Sequence, residues 1–283
     1  MIPISSIGIG SWQAGGRGPW GGGPAADDRE AIAAIRCAVE GGLTWVDTAA
    51  SYGLGHAERV VAEALRPWRP GDDVFVFTKC GHPWTGTTPT TSLRPESIRA
   101  EVDDSLRRLG VDRLDAVQFH HPDPATPIEE SWGALGELVH EGKVRWVGVS
   151  NFPVDLLDRC EALRHVDLLQ LELSLLRRSA LEAEVPWAQA HDTTVLAYSP
   201  LGSGVLARCR QDNPDLGSAD REVLIRVAAL ARRLGATPAA VAVAWVLAQG
   251  AAAICGARRP DQVADWLDAG HLMLGDAVLM EGS

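Results

Sequence analysis

The feature that most constrains this chain is an eightfold alternation of short apolar runs with longer segments of helical period. The runs lie near residues 7–12, 44–47, 74–79, 114–119, 144–149, 168–172, 193–198 and 252–255, and their length and β-branched or apolar character predict strands. Patterns of period 3.6 between them predict helices near 28–40, 57–65, 95–109, 128–140, 154–163, 181–191 and 260–268. Two more, near 220–234 and 238–248, fall between the seventh and eighth strands. VFVFTK and VRWVGVS are apolar at nearly every position, the pattern of parallel strands covered on both faces. Pro95 before Glu96 and Pro153 before Asp155 mark helix starts, while Gly41, Gly110 and Gly142 mark stops. A strand–helix unit repeated eight times favours a closed (β/α)8 TIM barrel over an open doubly wound sheet. The 283 residues suit one barrel, for which ~250 is typical. No low-complexity linker divides the chain, so residues 1–283 are read as a single domain.

Charge narrows the partners. A net charge of -11 argues against nucleic acid or an anionic membrane surface. No run approaches ~18 apolar residues, and the start MIPISSIGIGSW has neither a basic segment nor a long apolar one, so a cytoplasmic protein is expected. Cys37, Cys80, Cys160, Cys209 and Cys255 are scattered without a CxxC pair and read as small apolar residues, not disulfides or zinc ligands. The expected partner is a small molecule, and the expected state a monomer or weak homo-oligomer.

The chain holds only two lysines, Lys79 and Lys143, and two tyrosines, Tyr52 and Tyr198, although arginine is plentiful. Arginine replaces lysine on most solvated faces, so a retained lysine points to a need for an amine. Lys143, in the turn-like EGK, reads as a surface residue; Lys79 does not. In barrels of this kind catalytic groups sit at the C-terminal ends of strands. The second, third and fourth strands end in TWVDTAASYG, FTK and AVQFHH, which bring Asp47, Tyr52, Lys79 and His120 to one rim. A tyrosine of ordinary pKa ~10 is a poor proton shuttle at neutral pH, and a neighbouring ammonium is expected to lower it. An ion pair with Asp47 would keep Lys79 charged, and His120 would orient a substrate carbonyl. The set suits proton transfer coupled to hydride transfer.

GLTWVDTAASYGLGHAE, FTKCG, SLRRLGVDRLDAVQFHHPDP, GKVRWVGVSNF, LQLEL and AYSPLGSG follow in this order. Together they resemble the aldo-keto reductase family over nearly the whole chain, from GIGSW to GARRPDQV. The resemblance implies a catalytic tetrad of Asp47, Tyr52, Lys79 and His120, with Tyr52 as general acid/base. It implies an oxidoreductase that reversibly reduces an aldehyde or ketone, sugar-like compounds and biosynthetic intermediates included, with hydride from C4 of a reduced nicotinamide. It assigns Ser150, Asn151 and Gln170 to the carboxamide, whose donors and acceptor need polar partners. Gly10 and Ser11 also join the cofactor site. Tyr198 would stack on the nicotinamide ring, and Ser199, Leu201, Ser203 and Gly204 resemble the loop that cradles the pyrophosphate. A GxGxxG fingerprint is absent, which disfavours a Rossmann site.

The adenosine end departs from the family pattern. Gly256 stands where the family often has lysine and Gln262 where it often has arginine. Arg258 and Arg259 remain in GARRPDQ, able to pair with a 2′-phosphate or stack on adenine, so NADP(H) is favoured over NAD(H). Asp265 is assigned to the adenine amine, and Trp266 replaces a commonly polar residue. The N-terminal hairpin that usually plugs the barrel floor is expected to be shortened or missing, leaving some core more exposed there. A short C-terminal tail and modest loops after His120 and Ser203 imply an open pocket. Trp12, Trp20, Trp84 and His121 are the substrate-contact candidates, whereas Trp45, Trp146 and Trp245 read as core. His56 and Glu58 in GLGHAE read as the start of the next helix.

Two other classes compete. A nicotinamide-binding regulatory or sensor subunit on the same barrel would turn over little; the complete tetrad weighs against it. A metal-dependent barrel hydrolase or lyase would use His120 and His121. Adjacent residues on a strand point to opposite faces and no HxH accompanies them, so no metal is expected.

Overall fold

The computed structural model describes residues 2–16, 27–68, 73–209 and 216–274. Eight parallel strands close a barrel: β1 Ile7–Gly10, β2 Trp45–Asp47, β3 Phe75–Cys80, β4 Leu114–Phe119, β5 Val144–Ser150, β6 Leu168–Glu172, β7 Thr194–Tyr198 and β8 Ala252–Gly256. Each neighbours the next in sequence, and β8 pairs with β1. The register sets Asp47 opposite Gly10 and Phe77, Lys79 opposite Gln118, and Ser150 opposite Gln170. All eight expected strands are present.

Helices cover the outside: Asp28–Glu40, His56–Ala64, Pro95–Leu109, Ile128–His140, Val154–Glu161, Glu184–Ala190, Ser218–Leu234, Pro238–Ala248 and Pro260–Ala264. Pro95 opens its helix and Gly110, at φ 70, ends it in the left-handed region that a Cβ disfavours. Pro238–Ala248 is buried on nearly every side because it is apolar all round; Thr237 caps it, accepting from Ala240 N at 2.9 Å. The helix expected over 181–191 is divided, a 3-10 turn at Ser179–Leu181 preceding Glu184–Ala190. A small hairpin, Trp84–Thr85 with Thr88–Pro89, follows β3, and a short helix, Val205–Arg208, follows β7; periodicity signalled neither.

The barrel interior is filled by Trp45, Phe77, Ala116, Leu168, Leu196 and Ile254. Trp45 is wholly enclosed and donates Nε1–H to Ser5 O at 2.9 Å. Gly8 makes room for it, since a Cβ there would overlap the indole. Residues 2–6 contain no hairpin, yet Ile2 packs into this cluster and Ser5 hydrogen-bonds Thr44. The exposed floor expected from the sequence is therefore corrected: the chain entering β1 covers it. Trp245 is buried, while Trp146 is half-buried, edge-on to Phe75 and beneath Arg145. Cys80, Cys160 and Cys255 are buried, Cys37 and Cys209 are half-buried, and all five are free thiols.

Candidate active site

Asp47 ends β2, Lys79 is next to last in β3, His120 follows β4 and Gln170 lies within β6, and the parallel register gathers them toward the C-terminal rim. Lys79 Nζ lies 2.6 Å from Asp47 Oδ1 and 2.8 Å from Oδ2, and donates a third hydrogen bond to Thr48 O at 3.0 Å. Gln170 Nε2 donates to Asp47 Oδ2 at 2.9 Å. Burial raises the Asp47 carboxyl and lowers the Lys79 ammonium, while their mutual attraction opposes both shifts. The two-point contact and the outer hydrogen bonds favour the ionised pair.

Tyr52 sits on the turn after β2, its backbone N 3.2 Å from Ala49 O. The 3-10 turn Trp12–Gly15 presses on this turn. Gly53, at φ 59, meets Gly15 so closely that a Cβ would strike its carbonyl. Lys79 Nζ is 5.3 Å from the Tyr52 ring centroid, and the His120 ring meets it edge-on at 5.6 Å. The lowered Tyr52 pKa expected from the sequence is corrected. Burial, and then the Asp47 charge, push it well above the usual phenol value. Tyr52 is therefore held as the neutral phenol, with its hydroxyl proton in place.

His120 is held neutral, its pKa driven well below the ordinary value by burial and then by Lys79, His82 and His121. Its Nδ1 is 3.4 Å from Ser51 Oγ, and its carbonyl accepts from Asn151 Nδ2 at 3.1 Å. His121 does not take the opposite face from His120. β4 ends at Phe119, strict alternation lapses, and the two imidazoles stack 5.0 Å apart at 15°. His82, from the loop after β3, joins them, its Nε2 2.9 Å from His121 Nδ1. Sequence reasoning missed His82; its only signal was its place three residues after Lys79. Buried Glu101 fixes this loop by accepting from Gly81 N and His82 N, and burial pushes its carboxyl up to about 7.

On the adjoining rim a polar chain runs across β5, β6 and β7. Tyr198 donates to Asn151 Oδ1 at 2.8 Å, Asn151 Nδ2 donates to Ser150 Oγ at 3.0 Å, and Asn151 N donates to Gln170 O at 3.0 Å. Asn151 adopts φ 61, which the loop hydrogen bonds hold. Ser11 Oγ, next to Gly10 at the end of β1, is buried without a hydrogen-bond partner among the described residues, as is Gln118 Nε2 beneath Gln170. Buried polar atoms of this kind favour a ligand that satisfies them. A turn from Ser199 to Gly204 follows, with Ser199, Gly202, Ser203 and Gly204 at positive φ; Leu201 is half-buried within it. These residues fit the nicotinamide and pyrophosphate portions of a dinucleotide.

At the β8 end, the Gln13 amide occupies the space that a Cβ on Gly256 would take, so a side chain there would have to displace the end of Gln13. Gln262 Oε1 accepts from Arg258 N at 2.7 Å, and Arg259 forms a two-point pair with Asp261 at 3.0 Å. The Asp265 carbonyl accepts from Thr237, and Trp266 is apolar because it is fully buried. Among the substrate candidates, Trp12 is 44% exposed. Trp84 faces the Arg108 guanidinium at 5.5 Å, and His121 lies in the histidine cluster. Trp20 lies outside the described residues.

The Aldo/keto reductase family model matches residues 6–280. An aldo-keto reductase of Bacillus subtilis (YhdN) is 34% identical over 93% of this chain and 84% of its own length. The NADH-specific methylglyoxal reductase of Escherichia coli is 32% identical over 98% and 93%. Among solved structures, a glycerol dehydrogenase from Gluconobacter oxydans superposes with TM-score 0.87 at 34% identity, covering 97% of this chain and 89% of its own. An aldo/keto reductase from Klebsiella pneumoniae, in complex with NADP and acetate, gives 0.79 at 30% identity, covering 96% and 88%. With the closed barrel and the rim that carries the matched motifs, these similarities establish that the chain belongs to the aldo-keto reductase family of NAD(P)-dependent carbonyl oxidoreductases.

Proposed function

We propose that the protein reduces a small polar aldehyde or ketone, of the hydroxycarbonyl or dicarbonyl kind, with Tyr52 as proton donor and NADPH preferred over NADH. One observation carries this: the Tyr52 ring lies against both the buried Lys79–Asp47 pair, 5.3 Å from Nζ, and the His120 ring, 5.6 Å away. When bound, the reduced nicotinamide supplies a hydride to the carbonyl carbon. Tyr52 gives its proton to the carbonyl oxygen as negative charge develops there, and the nearby Lys79 ammonium stabilises the phenolate left behind. Asp47 keeps that ammonium in place. Neutral His120 donates one ring N–H to the same oxygen and fixes the approach angle.

Ser150, Asn151 and Gln170 would hold the carboxamide, and Tyr198 the ring face. Gly10 and Ser11 would line the cofactor channel, Ser199 to Gly204 the pyrophosphate, and Gly256, Arg258, Gln262 and Asp265 the adenosine. Arg258, whose backbone N donates to Gln262 Oε1 at 2.7 Å in the loop after β8, stands behind the NADPH preference. The relatives point both ways, one named NADH-specific and one solved with NADP. Trp12, Trp84 and His121 would line the substrate mouth. The glycerol dehydrogenase and methylglyoxal reductase among the relatives support a short, polar substrate.

A fluorescence titration with NADPH and NADH, followed by a carbonyl and sugar panel with the tighter one, tests this reading. Tighter NADPH binding and turnover of short hydroxycarbonyls or dicarbonyls are expected. Tight binding without turnover on any panel member would instead mark a nicotinamide sensor.

A further inference from the structure

We propose that His82, His120 and His121 form a binding site for one first-row transition-metal cation, best matched by Zn2+, and that its occupation switches off carbonyl reduction. The three residues come from the loops after β3 and β4, and one ring nitrogen from each lies within 4.8 Å of the others. Their ring centroids are 5.0, 5.1 and 5.0 Å apart. Zinc bonds to imidazole nitrogen at ~2.0–2.1 Å, so a tetrahedral centre needs ligand nitrogens about 3.3 Å apart. His82 Nε2 and His121 Nδ1, now 2.9 Å apart, must therefore separate by only a few tenths of an ångström.

The surroundings also suit a ligand set. His82 Nδ1 lies 3.3 Å from Thr90 O. Donating its N–H there fixes the tautomer in which Nε2 carries the lone pair, as an outer hydrogen bond does in zinc sites. With His82 protonated on Nδ1, the shared proton is the one N–H of a neutral His121; it would pass from Nδ1 to Nε2, leaving both facing nitrogens to the ion. Glu101, accepting from His82 N at 3.2 Å, holds the loop in place. An all-imidazole set selects Zn2+, Cu2+ or Ni2+ over Mg2+ or Ca2+. His82 and His120 are buried while His121 is half-buried, so the ion enters past His121. Three ligands leave a fourth position for water.

Inhibition rests on the reading of His120 as the group that orients the carbonyl. A metal bound to His120 takes the nitrogen or shifts the ring that does so. The binding arm of the test needs no turnover, so it is decided separately from that reading.

Calorimetric titration of the chelator-treated full chain with ZnCl2 should give one saturable site. His82→Gln and His121→Gln, each confirmed as folded by circular dichroism, should each weaken it by at least about tenfold. In the parent, zinc should abolish carbonyl turnover and EDTA restore it. Electron paramagnetic resonance of the parent with one equivalent of Cu2+ should show imidazole nitrogen couplings, which decides the matter even if a variant fails to fold. The proposal is overturned by absence of saturable binding, or by zinc affinity unchanged in both folded variants. Thiolate charge-transfer absorption from Cu2+, which would place the metal on a cysteine, also overturns it. Full turnover with zinc bound overturns the inhibitory role.

Discussion

Lys79 and Asp47 form a two-point ion pair sealed from solvent, with Nζ 2.6 Å from Oδ1 and 2.8 Å from Oδ2. Removing one partner of such a pair strands a charge where water cannot reach it. Asp47→Asn should therefore cost about 3–5 kcal/mol of folding stability, read by urea denaturation, besides lowering turnover. A loss under about 1 kcal/mol, the range of solvent-exposed pairs, would show that the site is wetter than described.

Glu101 links this rim to pH. Its folded-state pKa of about 7 stands above the ordinary 4.5, so the native protein keeps a proton that the unfolded chain releases between those values. Stability from this group is fully present below pH 4.5 and is lost as pH rises toward 7. The loss is at most about 3.5 kcal/mol at ~1.4 kcal/mol per pH unit. Glu101→Gln should flatten that part of the stability profile; melting curves at intervals across it, with an equal slope in parent and variant, would refute the assignment.

Gly8 and Trp45 supply a test of packing. Because the indole fills the barrel and is wholly enclosed, Gly8→Ala forces it off its position. The expected cost is about 1–3 kcal/mol, seen as a lower melting temperature. Unchanged stability would mean that the barrel interior is looser than described.

The strands and the rim were legible because parallel strands buried on both faces are apolar throughout, and because VDTAASY, FTK and QFHH each finish such a run. The direction of the Tyr52 shift was not legible. Sequence places a lysine near a tyrosine but does not show that burial and the Asp47 charge together outweigh the ammonium. The His82–His120–His121 cluster was also hidden, since two loops of unrelated sequence bring it together after strand alternation has ended. Gly256 looked like a lost cofactor lysine; the packed Gln13 amide supplies a structural reason for it.

Arg258 is the proposed reader of the 2′-phosphate. Arg258→Ala should weaken NADPH binding by about 1.5–3 kcal/mol, the range for hydrogen bonds to charged groups, and leave NADH nearly unchanged. Equal weakening of both cofactors in fluorescence titrations would remove Arg258 from phosphate recognition.

Tyr52→Phe deletes one hydroxyl and keeps the ring that packs against His120, so it isolates the proposed proton transfer. With a carbonyl substrate and saturating NADPH, the account predicts a fall in kcat of roughly 10²–10⁴-fold, with the NADPH dissociation constant essentially unchanged. A kcat close to that of the parent would contradict the central claim.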